Sequence, residues 1–151
     1  MRLATLCYLK RDGHTLMLHR RREGDYHRGK YNGLGGKLLS GESPEDCVRR
    51  EVYEESGLSV TEMRFRGVLT FPLFDGRDDW YVFVYTVTGF EGKLRASAEG
   101  ELSWVADERL LGLELWPGDR IFLPWLEGSE TFSATFRYQG GRLRDYEASF
   151  Y

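Results

Sequence analysis

Glu51, Glu54 and Glu55 are the residues whose type and spacing most plainly suggest chemistry, inside the stretch "GGKLLSGESPEDCVRREVYEESGL" (35–58). On a helix turning 100° per residue, their side chains project within about 100° of one another. Cys47 and Val48 lie on the same side one turn earlier, so a face that begins apolar ends in carboxylates at the margin of a core. Two full charges ~6 Å apart repel by roughly 0.7 kcal/mol in water, and by ~3 kcal/mol where the effective dielectric is near 20. Three such pairs in a half-buried cleft would take several kcal/mol from a domain stability of about 5–15 kcal/mol. Glutamate favours helix, and a run of it is often no more than a solvated face. In a cleft, a bound cation is what makes the cluster tolerable. Arg50, four residues before Glu54, can partner one carboxylate but cannot neutralise three. Hard oxygen donors with no His or Cys among them select Mg²⁺, with Mn²⁺ possible, over zinc.

The elements that must position these carboxylates are legible on either side. Ser43 is a good helix N-cap, Pro44 fits the first helical position, and Glu45 and Asp46 suit the positive end of the dipole. Gly57 supplies the stop. Upstream, "RREGDYHRGKYNGLGG" (21–36) reads as a long polar loop, of a length that is usually functional in compact domains. It delivers Gly35 and Gly36, which let backbone oxygens approach a cation and phosphate approach the backbone, and then the acid Glu42. A short strand, "KLL" (37–39), is expected before the helix.

Gly36, five residues, Glu42, seven residues, then Arg50-Glu51-Val52-Tyr53-Glu54-Glu55-Ser56-Gly57-Leu58 resembles a complete Nudix box, the signature of the Nudix hydrolases, over 23 consecutive residues. The resemblance implies a loop–helix–loop metal site on a mixed-sheet sandwich, and hydrolysis of a nucleoside diphosphate linked to a further group. Carried over by position, Glu51, Glu54 and Glu55 hold Mg²⁺ with the Gly36 carbonyl as a further ligand, while Arg50 and Glu42 orient the cluster through salt bridges. A further carboxylate before a late strand often serves such enzymes as base. Glu99 in "SAEGELSWV" is the candidate here, and Glu101 competes with it.

The box fixes the reaction but leaves the substrate open. Outside it, "YNGLGGKL", "LWPGDRIFLPWL" and "TFSATFRYQGGRLRDY" are similar, in order and spacing, to the MutT-like 8-oxo-dGTP diphosphatases. That resemblance implies that Asn32 and Asp119 contact the base and Trp116 stacks on it, with Phe71 and Phe74 on the other side. Guanine presents N1–H and N2–H₂ side by side, which one carboxylate can accept together, and an amide such as Asn32 can both donate and accept. Each residue also has a plainer role: Trp116 as core filler, Asp119 as an N-cap, Asn32 before Gly33 as a turn residue. Mammalian members of the group carry two adjacent aspartates after "WP", where this chain has Gly118-Asp119, so oxidised guanine follows more safely than oxidised adenine. The basic loop 19–30 and the box itself offer Arg20 and Lys37 to the triphosphate. His14, His19 and His27 have no paired spacing and read as surface residues.

The totals agree with one enzyme domain spanning 1–151. A chain of 151 residues with 41% hydrophobic and 15% aromatic side chains can fill one core, which excludes disorder. A net charge of -3 argues against a nucleic acid polymer or an anionic membrane as partner. Two cysteines without a CxxC pair exclude a disulfide framework or zinc site. The N-terminal apolar run is too short for a signal peptide or membrane span, so a cytoplasmic monomer or weak dimer acting on a small nucleotide is expected.

The remaining strands are expected at "LATLCYL" (3–9), "TLMLHR" (15–20), "EMRFRGVLTFPLF" (62–74), "WYVFVYTVTGF" (80–90) and "ELSWV" (101–105), with a closing hairpin at 131–138 and 142–151. The strand at 80–90, apolar on both faces, should be central. A short helix over 107–113 and a longer one over 119–128, with Pro124 near its end, complete an α+β fold, an α/β/α sandwich with a mixed sheet between helices. Two alternatives stay open: a hydrolase of another nucleotide, such as a general (d)NTP or a nucleotide-sugar, and a non-catalytic nucleotide sensor on the same fold.

Overall fold

The central strand is the one with no polar face. In the computed structural model, which describes residues 1–151, Trp80–Glu91 (β5) lies between Arg2–Arg11 (β1), parallel to it, and Ser59–Phe71 (β4), antiparallel to it. Its neighbouring residues Val84 and Tyr85 point into two different cores, which is why both faces had to be apolar. Phe132–Gln139 (β7) adds parallel to β4, and Arg142–Phe150 (β8) closes the edge through the Gly140-Gly141 turn.

Strand β1 leaves this mixed sheet at its hairpin. His14–Arg20 (β2) pairs with β1 only next to the turn and then runs against Gly100–Ala106 (β6) and the two-residue strand Tyr31–Asn32 (β3). The helix Pro44–Ser56 (α1) covers one face of the sheet, burying Cys47, Val48 and Val52 against Cys7, Leu16, Leu34 and Tyr85. The other face is covered by the helix Pro117–Phe122 (α2) and the 3-10 segment Leu123–Glu127, which bury Phe122, Leu123 and Leu126 against Leu69, Phe132 and Phe136. The class is therefore α+β, a mixed sheet between helical layers, as the element order implied.

Helix α1 begins and ends where its caps require. Ser43 accepts the Asp46 N–H at 3.1 Å, and Gly57 is left-handed, its N–H bonded to the Tyr53 carbonyl.

Several elements differ from the sequence expectation, among them the expected helix at 107–113, which is a 3-10 segment over Asp107–Gly112. The residues 37–39 form no strand: Gly35, at φ 140, breaks the ladder, and only single contacts such as Leu38 N–H to the Leu3 carbonyl tie the loop to β1. Strand β4 runs over Ser59–Phe71 rather than 62–74: it starts just after the Gly57 stop of α1, and it ends at Phe71 because Pro72 opens a turn in which Leu73 takes φ 45. The expected helix at 119–128 splits into α2 and a 3-10 turn, because Pro124 has no N–H for the α-helical ladder. Finally, β3 lies inside what reads as an unbroken loop.

Candidate active site

The loop before α1 is stitched along β1 by four backbone hydrogen bonds. Cys7 and Leu34 exchange two, Thr5 donates to Gly36, and Leu38 donates to Leu3. Three glycines make this close path possible, the first being Gly33, where a Cβ would lie 2.6 Å from the Cys7 carbonyl oxygen. A Cβ on Gly35 would strike the Thr5 carbonyl, and a Cβ on Gly36 would lie 2.6 Å from the carboxyl carbon of Glu51. The loop therefore passes directly over the acidic end of α1.

Arg50 gathers more charge than one partner. Its Nε and Nη2 take both oxygens of Glu42 at 2.7 and 2.9 Å, and Nη1 reaches Glu51 at 2.7 Å and Glu54 at 3.3 Å. Nη2 also donates to the Lys37 carbonyl at 3.0 Å, which fastens loop to helix. The expectation of a single partner for Arg50 is thus corrected: a guanidinium has five N–H groups in a fixed fork and serves three carboxylates here. That fork and the Leu39 N–H hold the Glu42 carboxyl down at about 2.

Glu55 is left outside this network. It is 5% exposed, its Oε1 accepts the Gly35 N–H at 2.8 Å, and its Oε2 is buried with no partner. Burial pushes its pKa well above the ordinary carboxylate range; the Gly35 N–H opposes this, and neighbouring Glu99 adds to it. Burial likewise raises Glu51. Glu99 itself is gripped by Arg20 at 2.6 Å, which also faces Asp25 at 3.7 Å. Glu101 instead turns outward to pair with Arg21 at 3.4 Å, so of the two late acids only Glu99 neighbours the box.

No three acidic, His or Cys side chains are drawn close enough to enclose an ion. Arg50 pulls Glu51 and Glu54 to one side, Glu54 is more than half exposed, and Glu55 sits deeper. The donor chemistry nevertheless fits a hard divalent cation. The side-chain donors of this box end are carboxylate oxygens, Glu55 Oε2 lacks any partner, and the space beside Glu51 depends on a residue without Cβ at 36.

Next to this acidic end opens a cavity of about 430 Å³, of the size that takes a small ligand. Asn32, Trp116, Asp119, Phe71, Phe74, Arg20 and Lys37, expected from widely separated stretches, all line it. Asn32 is 9% exposed and its Nδ2 is buried without a partner. Asp119 is 7% exposed, and burial raises its pKa to about 7 against a smaller opposing effect of Lys30. Phe71 and Phe74 meet edge to face at 5.6 Å, and Phe74 and Trp116 at 5.0 Å. Lys37 stands 5.6 Å from the ring centre of Trp80, another wall residue.

Tyr26, His27 and Tyr138 complete the wall and carried no sequence expectation as ligands. His27 is not a surface residue. The Trp116 indole N–H donates to its Nδ1 at 2.8 Å, which assigns a neutral ring with the proton on Nε2, and burial together with Arg20 lowers its pKa. His19 is also half-buried, stacked on Tyr31 at 4.2 Å, whereas His14 is exposed. Tyr26 lies nearly parallel to Trp116, at 5.6 Å and 19°. Two aromatic residues inside an otherwise polar, basic loop were the available signal for this wall.

Comparison with known proteins agrees with this architecture. The family model described as the NUDIX domain matches residues 1–126. An oxidized purine nucleoside triphosphate hydrolase of Danio rerio is 29% identical over 139 residues, covering 92% of this chain and 88% of that one. The uncharacterized Nudix hydrolase YvcI of Bacillus subtilis is 33% identical over 139 residues, covering 89% and 85%. A crystal structure of a MutT protein from Bacillus halodurans superposes with a TM-score of 0.88 at 29% identity, covering 98% and 97%. Box, cavity and matches converge: the chain belongs to the Nudix family and is a hydrolase of the MutT type.

Proposed function

We propose that this hydrolase cleaves 8-oxo-dGTP to 8-oxo-dGMP and pyrophosphate with Mg²⁺, as a cytoplasmic enzyme that clears oxidised nucleotides and works as a monomer or weak dimer. The observation that carries the reading is the pair of buried polar groups, Asn32 with its unpartnered Nδ2 and Asp119, in an aromatic cavity that opens onto the acidic end of α1. The fish relative's name, which specifies oxidised purine nucleoside triphosphates, supports the same substrate class.

The base packs against this aromatic wall, with Trp116 as the stacking surface and, beside it, Phe71 and Phe74, which meet each other edge to face as Phe74 meets Trp116. Asp119 accepts from N1–H and N2–H₂. Asn32 addresses O6 and the N7 edge, where oxidation at C8 turns an acceptor into a donor. Buried polar groups set for one donor pattern penalise the wrong base by leaving themselves unpaired. Arg20 and Lys37 offset phosphate charge.

Nudix hydrolases generally use divalent metal ions, and here Glu51, Glu54, Glu55 and the Gly36 carbonyl would hold Mg²⁺, or Mn²⁺ in its place. Bound there, the ion supplies positive charge against the phosphate oxygens and makes water more acidic. Arg50 and Glu42 keep the box acids in register with the loop. Glu99, oriented by Arg20 beside Glu55, accepts the proton of the attacking water.

A substrate panel with Mg²⁺ tests this directly: 8-oxo-dGTP, dGTP, oxidised and normal dATP, and a few nucleotide-sugars, with products identified. The expected result is a strong preference for 8-oxo-dGTP and release of pyrophosphate. Comparable turnover of unmodified nucleotides would remove the specificity claim, and a nucleotide-sugar preference would replace it.

A further inference from the structure

Gly118 and Tyr138 meet at the base end of the cavity in a way that the recognition scheme above does not use. The Gly118 N–H donates to Tyr138 Oη at 2.7 Å. A Cβ at position 118 would stand 2.8 Å from that oxygen and 3.0 Å from Cδ1 of Phe136, so a side chain at 118 and a hydroxyl in this place exclude each other. The tyrosine ring is fixed by its neighbours, edge-on to Phe74 at 5.1 Å and to Trp116 at 5.8 Å.

A phenol carries one proton and two lone pairs. Gly118 uses one lone pair, and the hydroxyl donates to no acceptor of the protein. Burial raises the pKa of Tyr138; the Gly118 N–H opposes this, and the Asp119 carboxylate adds to it, so the proton stays on at neutral pH. The cavity thus holds a permanent donor close to Asp119, which accepts when ionised.

We infer that the Tyr138 hydroxyl, seated by Gly118, is a specificity-determining donor of the base pocket that binds the 6-carbonyl oxygen of a purine. The inference rests on the reading of the cavity as a site for oxidised guanine nucleotides and deepens it. A 6-oxo purine offers an acceptor to Tyr138 and neighbouring N–H groups to Asp119. A 6-amino purine can give an N–H only to the remaining lone pair of Tyr138, so the hydroxyl proton finds no acceptor on the base and one buried group is left unpaired. The glycine at 118 is then the condition for the tyrosine hydroxyl, one recognition group standing where a side chain would otherwise be.

The test compares wild type with Tyr138→Phe, which keeps the ring and removes the hydroxyl. Binding of 8-oxo-dGMP and 8-oxo-dAMP is measured by calorimetry in metal-free buffer, and kcat/KM is measured for the two triphosphates with Mg²⁺. Tyr138→Phe should weaken 8-oxo-dGMP binding about tenfold and 8-oxo-dAMP binding much less, with the kinetic loss carried mainly by KM. If that variant folds poorly, Gly118→Ala displaces the same hydroxyl and should give the same loss of preference. Equal losses for both bases, or no loss for either, would overturn the inference. Wild type that binds neither nucleotide would overturn the functional reading along with it. Wild type that prefers 8-oxo-dGMP, with an unchanged ratio in the variants, would overturn only the role of Tyr138.

Discussion

Asp119 and Glu55 are both buried carboxylates that fold at a cost to stability, and that cost can be read by titration. Burial raises the Asp119 pKa from 3.8 to about 7. Between those values the folded chain keeps a proton that the unfolded chain has released, so stability falls as pH rises through this window and levels off above it. Asp119→Asn should remove that slope and raise the melting temperature at pH 8, by up to about 4 kcal/mol of stability at ~1.36 kcal/mol per pH unit. The same variant should lose preference for oxidised guanine. Melting curves of both proteins from pH 4 to 8 check the first expectation, and competition kinetics the second. Glu55→Gln should melt no lower than wild type, because a raised carboxyl pKa means that the charged form opposes folding. Its kcat should nevertheless drop by about 10²-fold or more; a sensor domain would instead keep its ligand response. The box residues were legible because their spacing lies within one loop and one helix. Tyr26, His27 and Tyr138 were not, because an aromatic side chain in a loop or strand reads the same whether it fills a core or lines a cavity.

At the scale of elements, the site depends on how a loop without regular structure is held against a helix. Gly36→Ala should displace the Glu51 carboxylate, the flexible end of a long side chain, and leave the fold intact. Activity should fall at least about tenfold with little change in melting temperature, since metal-site geometry tolerates small shifts poorly. Ser43→Ala tests the opposite case, the cap at the far end of the same helix. Loss of the bond to Asp46 should cost about 1 kcal/mol and lower the melting temperature by about 2–4 °C with KM unchanged. The cap, the stop at Gly57 and the central strand were readable from local pattern. The 37–39 segment was not, because its backbone partners lie on β1 more than thirty residues away, and the end of the late helix was blurred by Pro124.

Across the whole molecule, the cavity is assembled from β1, the loop before α1, the turn after β4, β5, α2 and β7, and a formal charge of -3 is compatible with a polyanionic ligand only where local cations gather. Lys37 and Arg20 line the cavity, Arg20 already paired with Glu99 and facing Asp25. No helix is long and apolar enough to cross a membrane. The fold class was legible because each strand's burial pattern matches its place in the sheet, whereas the meeting of Asn32, Trp116 and Asp119 rested on family likeness rather than on any local signal. The most direct measurement is the initial rate of 8-oxo-dGTP hydrolysis as MgCl₂ is titrated into chelator-treated protein, with dGTP as the reference substrate. We expect no turnover without the ion, a saturable rise on its addition, and a kcat/KM for 8-oxo-dGTP at least about tenfold above that for dGTP. Turnover that ignores the chelator, or equal rates for the two nucleotides, would contradict the assignment.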